Sequence, residues 1–366
     1  MNRQKVLRKF PHQFFYFTGL KIRRSLLKLS EKFVPAPVTL YEKAQGLWIS
    51  RAIVTACELH LADLLAPGPR DIQSLSAESK TDPDFLYRLM RALAGEGIFR
   101  ELSGKVFCNN TLSEALKEGE NSLKYLILQQ FGNNSVKLLL PLTEVVRTGE
   151  NQARKIFGGN VFAYLENNPE MNEIYNKGMD NSSGMMAMAL LSSYSFKGIE
   201  TMVDIGGGHG LLLKFILEKY PEMTGVLFDQ PHVVEKVPQP DAGSPVYGRF
   251  RVVSGNFFED IPAGADAYFM KNVLHAFHDE ECLVLLKKIH AAMPATGKLI
   301  LLETVISPDN QPALGKLLDF LMMTGTEGGR ERTREEFTTL LSRSGFIRIR
   351  FHRTVAPFYV IEAVKK

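Results

Sequence analysis

An α/β fold built on a mostly parallel sheet, preceded by a helical module, is the fold class this sequence predicts. From Glu200 onward, apolar strand-like runs alternate with helix-like stretches, the pattern of βα units that cover both faces of a parallel sheet. The first unit, Val203-Asp204-Ile205-Gly206-Gly207-Gly208-His209-Gly210, runs a strand into a glycine cluster. The helical stretch Leu211–Lys219 follows, and a second apolar run closes on Asp229. Upstream, residues 72–108 read as helix, turn, helix and hairpin, a winged-helix pattern.

The length of 366 residues suits about two domains. The expected division is a basic amphipathic arm at 1–38, a helical winged-helix module at 39–150 and the α/β domain at 151–366. Hydrophobic content of 45% and charged content of 23% are ordinary for a globular chain, and a net charge of +4 demands no polyanionic partner. Three cysteines, Cys57, Cys108 and Cys282, have neither metal-ligand spacing nor a disulfide framework. They predict a reducing, cytoplasmic setting and no bound metal. No apolar run approaches the length of a membrane span.

Every charge from Met1 to Ser30 is basic: Arg3, Lys5, Arg8, Lys9, Lys21, Arg23, Arg24 and Lys28. Phe10, Phe14, Phe15, Tyr16 and Phe17 interleave with them. Two readings stand. One is weak contact with an anionic membrane surface, or targeting, through residues 1–30. The other is a helical arm packed on the body or on a partner, which the aromatic content favours. Val34-Pro35-Ala36-Pro37 reads as a linker.

Leu47, Ala52, Ile53, Ala56, Leu59, Leu61 and Leu64 recur near helical spacing until Pro67-Gly68-Pro69 stops them, and Trp48 reads as packing. Ile72–Ser76 is a short helix. Thr81-Asp82-Pro83 starts a second, with Phe85, Leu86, Leu89, Met90 and Leu93 on one face. Ile98–Leu102 and Lys105–Cys108 bracket Ser103-Gly104 as a hairpin. A DNA reader would need a denser basic footprint than Arg88 and Arg91 supply, so the module reads as a dimer contact, with no nucleic-acid partner.

Residues 121–148 read as helical, and Ile156-Phe157-Gly158-Gly159-Asn160 breaks the pattern. Phe162, Tyr175, Met171, Met179, Met185, Met186 and Met188 mark a stretch that serves as core or as an adaptable apolar ligand lining. Strand candidates follow at Thr201–Ile205, Gly225–Phe228, Phe250–Ser254, Ala267–Phe269 and Leu299–Leu302, with a helix at Glu280–Met293. Phe346–Arg350 and Phe358–Ala363 are a pair suited to a sheet edge.

The glycine spacing narrows the ligand. A dinucleotide fingerprint needs a glycine where this chain has Leu211; the spacing here is G-x-G-x-G. S-adenosylmethionine carries no phosphate, only a sulfonium, an amino-acid group and a ribose. Gly206, Gly208 and Gly210 allow close backbone approach, Asp204 suits the ammonium group and Asp229 the ribose hydroxyls. Methyl transfer to a hydroxyl then needs a base, and His275 follows a strand of this domain at the end where open α/β sheets bind ligands. His278 lies three residues on.

Residues 40–364 resemble the plant-type and bacterial small-molecule O-methyltransferases, the group that includes caffeate, acetylserotonin and polyketide O-methyltransferases. The resemblance rests on Val203–Gly210, on Phe228-Asp229-Gln230-Pro231-His232-Val233, on Phe269-Met270-Lys271 with His275, and on Gly328-Gly329-Arg330-Glu331-Arg332-Thr333. It implies a Rossmann-like class I methyltransferase domain, an N-terminal winged-helix dimerisation domain and a homodimer intertwined through residues 40–150. It implies His275 as general base, with Glu303 and Glu331 orienting its ring. For the cofactor it implies Gly206, Gly208, Asp229, Phe257 and Lys271, with Ser183; for the acceptor pocket, Phe162, Tyr175, Met179, Met322 and Thr326.

Two positions depart from the family pattern. His275-Ala276-Phe277 replaces H-D-W, and Asn256 stands before Phe257 where an acid is usual. The Asn256 carbonyl oxygen can still accept from an adenine amino group. The function implied is S-adenosylmethionine-dependent methylation of a hydroxyl on an aromatic or polyketide-like small molecule. The alternative is a relative that binds the same cofactor for decarboxylation, hydroxylation or rearrangement, which Ala276 keeps open; a DNA-binding regulator is the third class.

Overall fold

The computed structural model describes residues 13–119, 122–159, 161–235 and 237–366. The expectations for residues 1–12, and for the Phe162 side chain, lie outside the described residues. Two compact units are present. One comprises Phe17–Lys137 with Leu165–Ser182; the other contains Leu138–Tyr164 and Ser183–Lys366.

The first unit takes the helix Gln13–Glu31 from Phe17 onward, and Ile22, Leu26, Leu27 and Leu29 along it are exposed. The proline pair expected to form a linker instead starts a helix, Ala36–Ala44: Pro35 caps it and Pro37 lies in its first turn, where a missing N–H costs nothing. Helices Gly46–Glu58, Ile72–Ser79 and Pro83–Gly95 surround the strands β1 (Arg70–Asp71), β2 (Phe99–Leu102) and β3 (Val106–Asn109), ordered β1-β3-β2. Leu61, Leu75, Leu86, Met90, Leu93, Phe99 and Phe107 are buried in this unit's own core.

Phe85 and Trp48 depart from expectation. Both are exposed, Phe85 beneath the Arg88 guanidinium at 5.2 Å and Trp48 edge-on to Tyr41 at 6.4 Å. The run 121–148 is not one helix but three: Lys124–Phe131, Asn133–Leu139 and Leu142–Thr148. Gly132 is extended at the first break, and Pro141 caps the third helix at the second.

In the second unit the sheet order is β10-β11-β8-β7-β4-β5-β6, with β4 Thr201–Ile205, β5 Thr224–Asp229, β6 Phe250–Ser254, β7 Ala267–Lys271, β8 Lys298–Ile306, β10 Phe346–Arg353 and β11 Phe358–Lys365. β9 (Arg332–Thr333) pairs with β8 off this path. Strands β6 to β8 are parallel through β5, β4 and β7; β11 and β10 join antiparallel at the edge. Alternate residues of each strand enter opposite cores. Met202, Leu227, Phe269, Ile300 and Val360 pack with Leu190 and the helix Leu211–Lys219; Val203, Phe228, Tyr268, Leu301 and Ile361 pack with helices Asp279–Ala292 and Arg334–Arg343.

The chain winds outward from β4 through β5 to β6, then returns to β7 and β8 on the other side of β4. That reversal opens a crevice at the strands' carboxyl ends, where such sheets bind ligands. The glycine loop and Lys271 lie at those ends; Glu303 lies inside β8, which runs on to Ile306 past the end of β7.

Candidate active site

The turn after β7 carries the predicted base. Asn272 follows Lys271 with φ 53°, a left-handed conformation that asparagine tolerates and most residues resist. A short 3-10 turn, Leu274–Ala276, then presents His275. In the parallel register Lys271 pairs with Leu302, so Glu303 lies beside this turn. Glu303 is fully buried, and its Oε1 accepts the N–H groups of Val273 and Leu274, each at 3.1 Å.

Glu331 arrives from the other side. β9 pairs with the end of β8, Val305 opposite Arg332, which brings Glu331 to the ring. His275 Nδ1 lies 3.0 Å from Glu331 Oε1. A carboxylate oxygen facing Nδ1 suits the tautomer with its proton on Nδ1, which leaves Nε2 to receive one. The ligating atoms of His275, Glu303 and Glu331 lie within 4.8 Å of one another.

Burial alone would lower the His275 pKa; the Glu331 hydrogen bond and the charges of Glu303 and Glu331 outweigh it, and the net shift is upward. Burial pushes Glu303 up to about 7, against the opposing pull of His275 and the two N–H donors. One oxygen on each acid, Glu303 Oε2 and Glu331 Oε2, is buried without a hydrogen-bond partner among the described residues. Glu303 thus meets the His275 turn through its backbone N–H groups, and no hydrogen bond from it to the ring is among those described.

The glycine loop forms the second half of the site. Gly206 and Gly208 adopt φ of 68° and 59°, and a Cβ at Gly206 would lie 3.1 Å from the Val273 side chain. The Gly208 N–H donates to Asp229 Oδ2 at 2.8 Å, and the Gln230 N–H to Asp229 Oδ1 at 2.7 Å. Asp204 is buried; burial, opposed by the Lys271 charge and reinforced by Asp229, raises its pKa to about 7. Its Oδ1 has no partner among the described residues. Burial likewise raises Asp229, against its two backbone donors. Lys271 Nζ donates to Ser183 Oγ at 2.7 Å. A buried carboxylate with an open oxygen beside a glycine loop fits the ammonium of S-adenosylmethionine.

Phe257 lies at this loop, with a ring atom 3.8 Å from a Cβ built on Gly206, and is edge-packed with Phe258 and Phe277. Phe277, from the departing H-A-F segment, therefore joins the aromatic cluster beside the cofactor loop. Asn256 is exposed; its Nδ2 donates to Glu259 at 3.0 Å and its Oδ1 accepts the Phe258 N–H at 3.0 Å. It serves the turn, and its oxygen retains one lone pair. Gly210 is buried and caps the helix Leu211–Lys219.

Met322 and Thr326 sit at the end of the helix Leu314–Gly325. Thr326 Oγ1 donates to Met322 O at 2.7 Å, and a Cβ on Gly329 would strike both Thr326 Oγ1 and the His275 carbonyl. Tyr175 and Met179 lie on the helix Pro169–Ser193, in the portion that belongs to the first unit. His278 is exposed at the start of the helix Asp279–Ala292, and its backbone N–H donates to Glu281 at 3.1 Å.

Three site residues escaped the sequence reading: Arg332, Asp279 and Asp319. Glu331 N–H donates to Asp319 Oδ1 at 2.8 Å. Nothing local separates Arg332 from Arg330, yet Arg332 is buried under the base turn while Arg330 pairs with Glu336 at the surface. A usable signal existed in Thr333 and Glu336, a capping box that starts the helix Arg334–Arg343 and ends the signature segment at Thr333.

Residues 140–347 match the O-methyltransferase domain model, and residues 41–118 match the O-methyltransferase dimerisation domain model. The chain is 33% identical over 330 residues to the phenazine O-methyltransferase PhzM of Lysobacter antibioticus, covering 90% of this chain and 96% of that protein. It is 35% identical over 334 residues to a caffeic acid 3-O-methyltransferase of Rosa chinensis, covering 85% and 89%. The crystal structure of human N-acetylserotonin methyltransferase in complex with S-adenosylmethionine superposes with a TM-score of 0.84 at 27% identity, covering 91% of this chain and 98% of that one.

Proposed function

The chain belongs to the O-methyltransferase family that carries its own dimerisation domain, and on that premise we propose that His275 is the general base of an S-adenosylmethionine-dependent methyl transfer. The acceptor is a hydroxyl on an aromatic or polyketide-like small molecule. The observation that supports the assignment most is the 3.0 Å contact of His275 Nδ1 with buried Glu331, which leaves Nε2 to take the acceptor's proton.

When bound, S-adenosylmethionine would supply an electrophilic methyl group on a sulfonium, whose sulfur becomes a neutral thioether once the methyl is lost. The residues that would hold it are Asp204 at the ammonium, Asp229 at the ribose and Phe257 against the base, with Gly206, Gly208 and Gly210 admitting its close approach. Lys271, whose charge acts on Asp204 and whose Nζ donates to Ser183, and Asn256 complete the proposed cofactor set. His275 accepts the hydroxyl proton as the oxygen becomes nucleophilic. Glu331 stabilises the resulting imidazolium at Nδ1, and Glu303 adds negative charge nearby while holding the turn. Met322 and Thr326 are the proposed acceptor contacts of the second unit. Retention of His275 with both acids favours methylation over a non-methylating reaction.

We further assign a homodimer through residues 41–118, supported by the dimerisation model. Light scattering should give about twice the chain mass of 41.1 kDa; a value near the chain mass overturns the assignment.

The activity test is transfer of labelled methyl to a panel of phenols and polyketides, with His275→Ala beside the wild type. Label on a hydroxyl, lost in the variant while cofactor binding persists by calorimetry, is the expected result. Transfer undiminished in the variant removes His275 as base.

A further inference from the structure

We propose that Arg332, paired with Asp279, is the positioning residue for the base: it clamps the backbone of the turn that carries His275. The inference rests on His275 being the base. Arg332 is 1% exposed and spreads its guanidinium beneath that turn. Nη1 donates to the Leu274 carbonyl at 2.8 Å and Nη2 to the Phe277 carbonyl at 2.9 Å. These two carbonyls bracket His275. Nε and Nη2 donate to Asp279 Oδ1 at 2.9 and 2.7 Å. The planar fork thus reaches both ends of the turn and the first residue of the next helix at once, a geometry that a lysine ammonium cannot reproduce.

Other groups complete the grip. The Arg330 N–H donates to the His275 carbonyl at 2.8 Å. The Cys282 thiol donates to Leu274 O at 3.3 Å; burial pushes its pKa up to about 12, so it stays protonated. Glu303 holds the turn's N–H side and Arg332 its carbonyl side. Arg332 directly follows Glu331, so one dipeptide grips both the ring and the backbone that carries it. Any slip of Arg332 shifts the ring against its own carboxylate partner. A misplacement of about 1 Å at a reacting group costs on the order of 10²-fold in rate.

The test compares Arg332→Lys and Asp279→Asn with the wild type, reading kcat, KM and the acid limb of the kcat/KM pH profile, with cofactor affinity by calorimetry as the control for folding. Arg332→Lys should lower kcat by about 10-fold or more with cofactor affinity unchanged. It should also move the acid limb to lower pH, because the Glu331 contact that raises His275 is loosened. Asp279→Asn should shift both readouts in the same direction by less. Asp279 is half-exposed, so this variant carries the test if Arg332→Lys fails to bind cofactor.

Unchanged kcat and limb in the variants overturn the clamp, as does lost activity with an unmoved limb, which marks a merely structural role. His275→Ala separates the two assignments. If it retains transfer, the base reading fails. If it is inactive while Arg332→Lys matches the wild type, only the clamp fails.

Discussion

The base turn and the glycine loop lie at neighbouring strand ends of one sheet, yet they are finished to different degrees. Around His275 the backbone is tied from both sides: Glu303 takes the Val273 and Leu274 N–H groups, and Arg332 and Arg330 take the Leu274, Phe277 and His275 carbonyl groups. In the glycine loop, Asp229 takes the Gly208 N–H and Asp204 is buried with an open oxygen and a raised pKa. Glu303 and Glu331 keep an open oxygen too, so the halves differ in their backbone: around His275, buried side chains hold both N–H and carbonyl groups. The difference teaches a division of labour. On the proposed roles, catalysis needs the base held before the acceptor arrives, whereas binding leaves a polar demand for the cofactor to satisfy.

The largest effect should come from loosening the finished half. General base catalysis is worth roughly 10²–10⁴-fold, and Glu331→Gln should lose about 10²-fold of kcat/KM. The wild-type acid limb should lie above the ordinary histidine value of 6.5, because the base must be neutral and its pKa is raised. In Glu331→Gln that limb should fall toward lower pH. A limb that stays put would mean that the carboxylate does not set the base's protonation.

The next effect should come from the unfinished half. Asp204→Asn removes a charged partner for the cofactor ammonium, and a charge-assisted hydrogen bond of about 1.5–3 kcal/mol corresponds to a roughly 10–100-fold weaker dissociation constant by calorimetry. Stability should move the other way. The Asp204 pKa is raised from 3.8 to about 7 in the folded state, so the native protein holds a proton that the unfolded chain has released. This contribution is fully present below pH 3.8 and lost as pH rises through about 7. Without cofactor, Asp204→Asn should therefore melt above the wild type at pH 8, by about 2–4 °C per kcal/mol recovered. An unliganded wild type as stable as the variant at pH 8 would show that Asp204 is already satisfied.

The smallest effect is expected at Asn256, exposed and bonded within its own turn. Asn256→Asp should change cofactor affinity by no more than about threefold, the scale of an ordinary surface substitution. A tenfold gain would instead make this departure from the family pattern a real loss at the adenine side.

Much of the site was legible in local pattern. The glycine spacing, the acid closing β5, and a histidine after a strand end each sit within one βα unit, so the chain's own period places them. Glu303 was legible as an acid on the strand after the base, but neither its place inside β8 nor its use of the Val273 and Leu274 N–H groups was, because those donors come from the neighbouring strand's exit. The three-way break of residues 121–148 was missed because Gly132 and Pro141 interrupt an otherwise continuous apolar period.

The sequence by itself determined the α/β class, the strands of the sheet and the residue types needed for cofactor and base, because period-2 and near-3.6 apolar patterns and glycine conformations are local properties. Only the tertiary structure decided which of two nearby arginines is buried, that the guanidinium of Arg332 and not that of Arg330 reaches the His275 turn, and that Phe277 joins Phe257 beside the glycine loop. The placement of Arg332 depends on the parallel registers of β8 with β7 and with β9, which together bring its guanidinium to carbonyls more than fifty positions away; no local pattern encodes which buried donor meets which carbonyl.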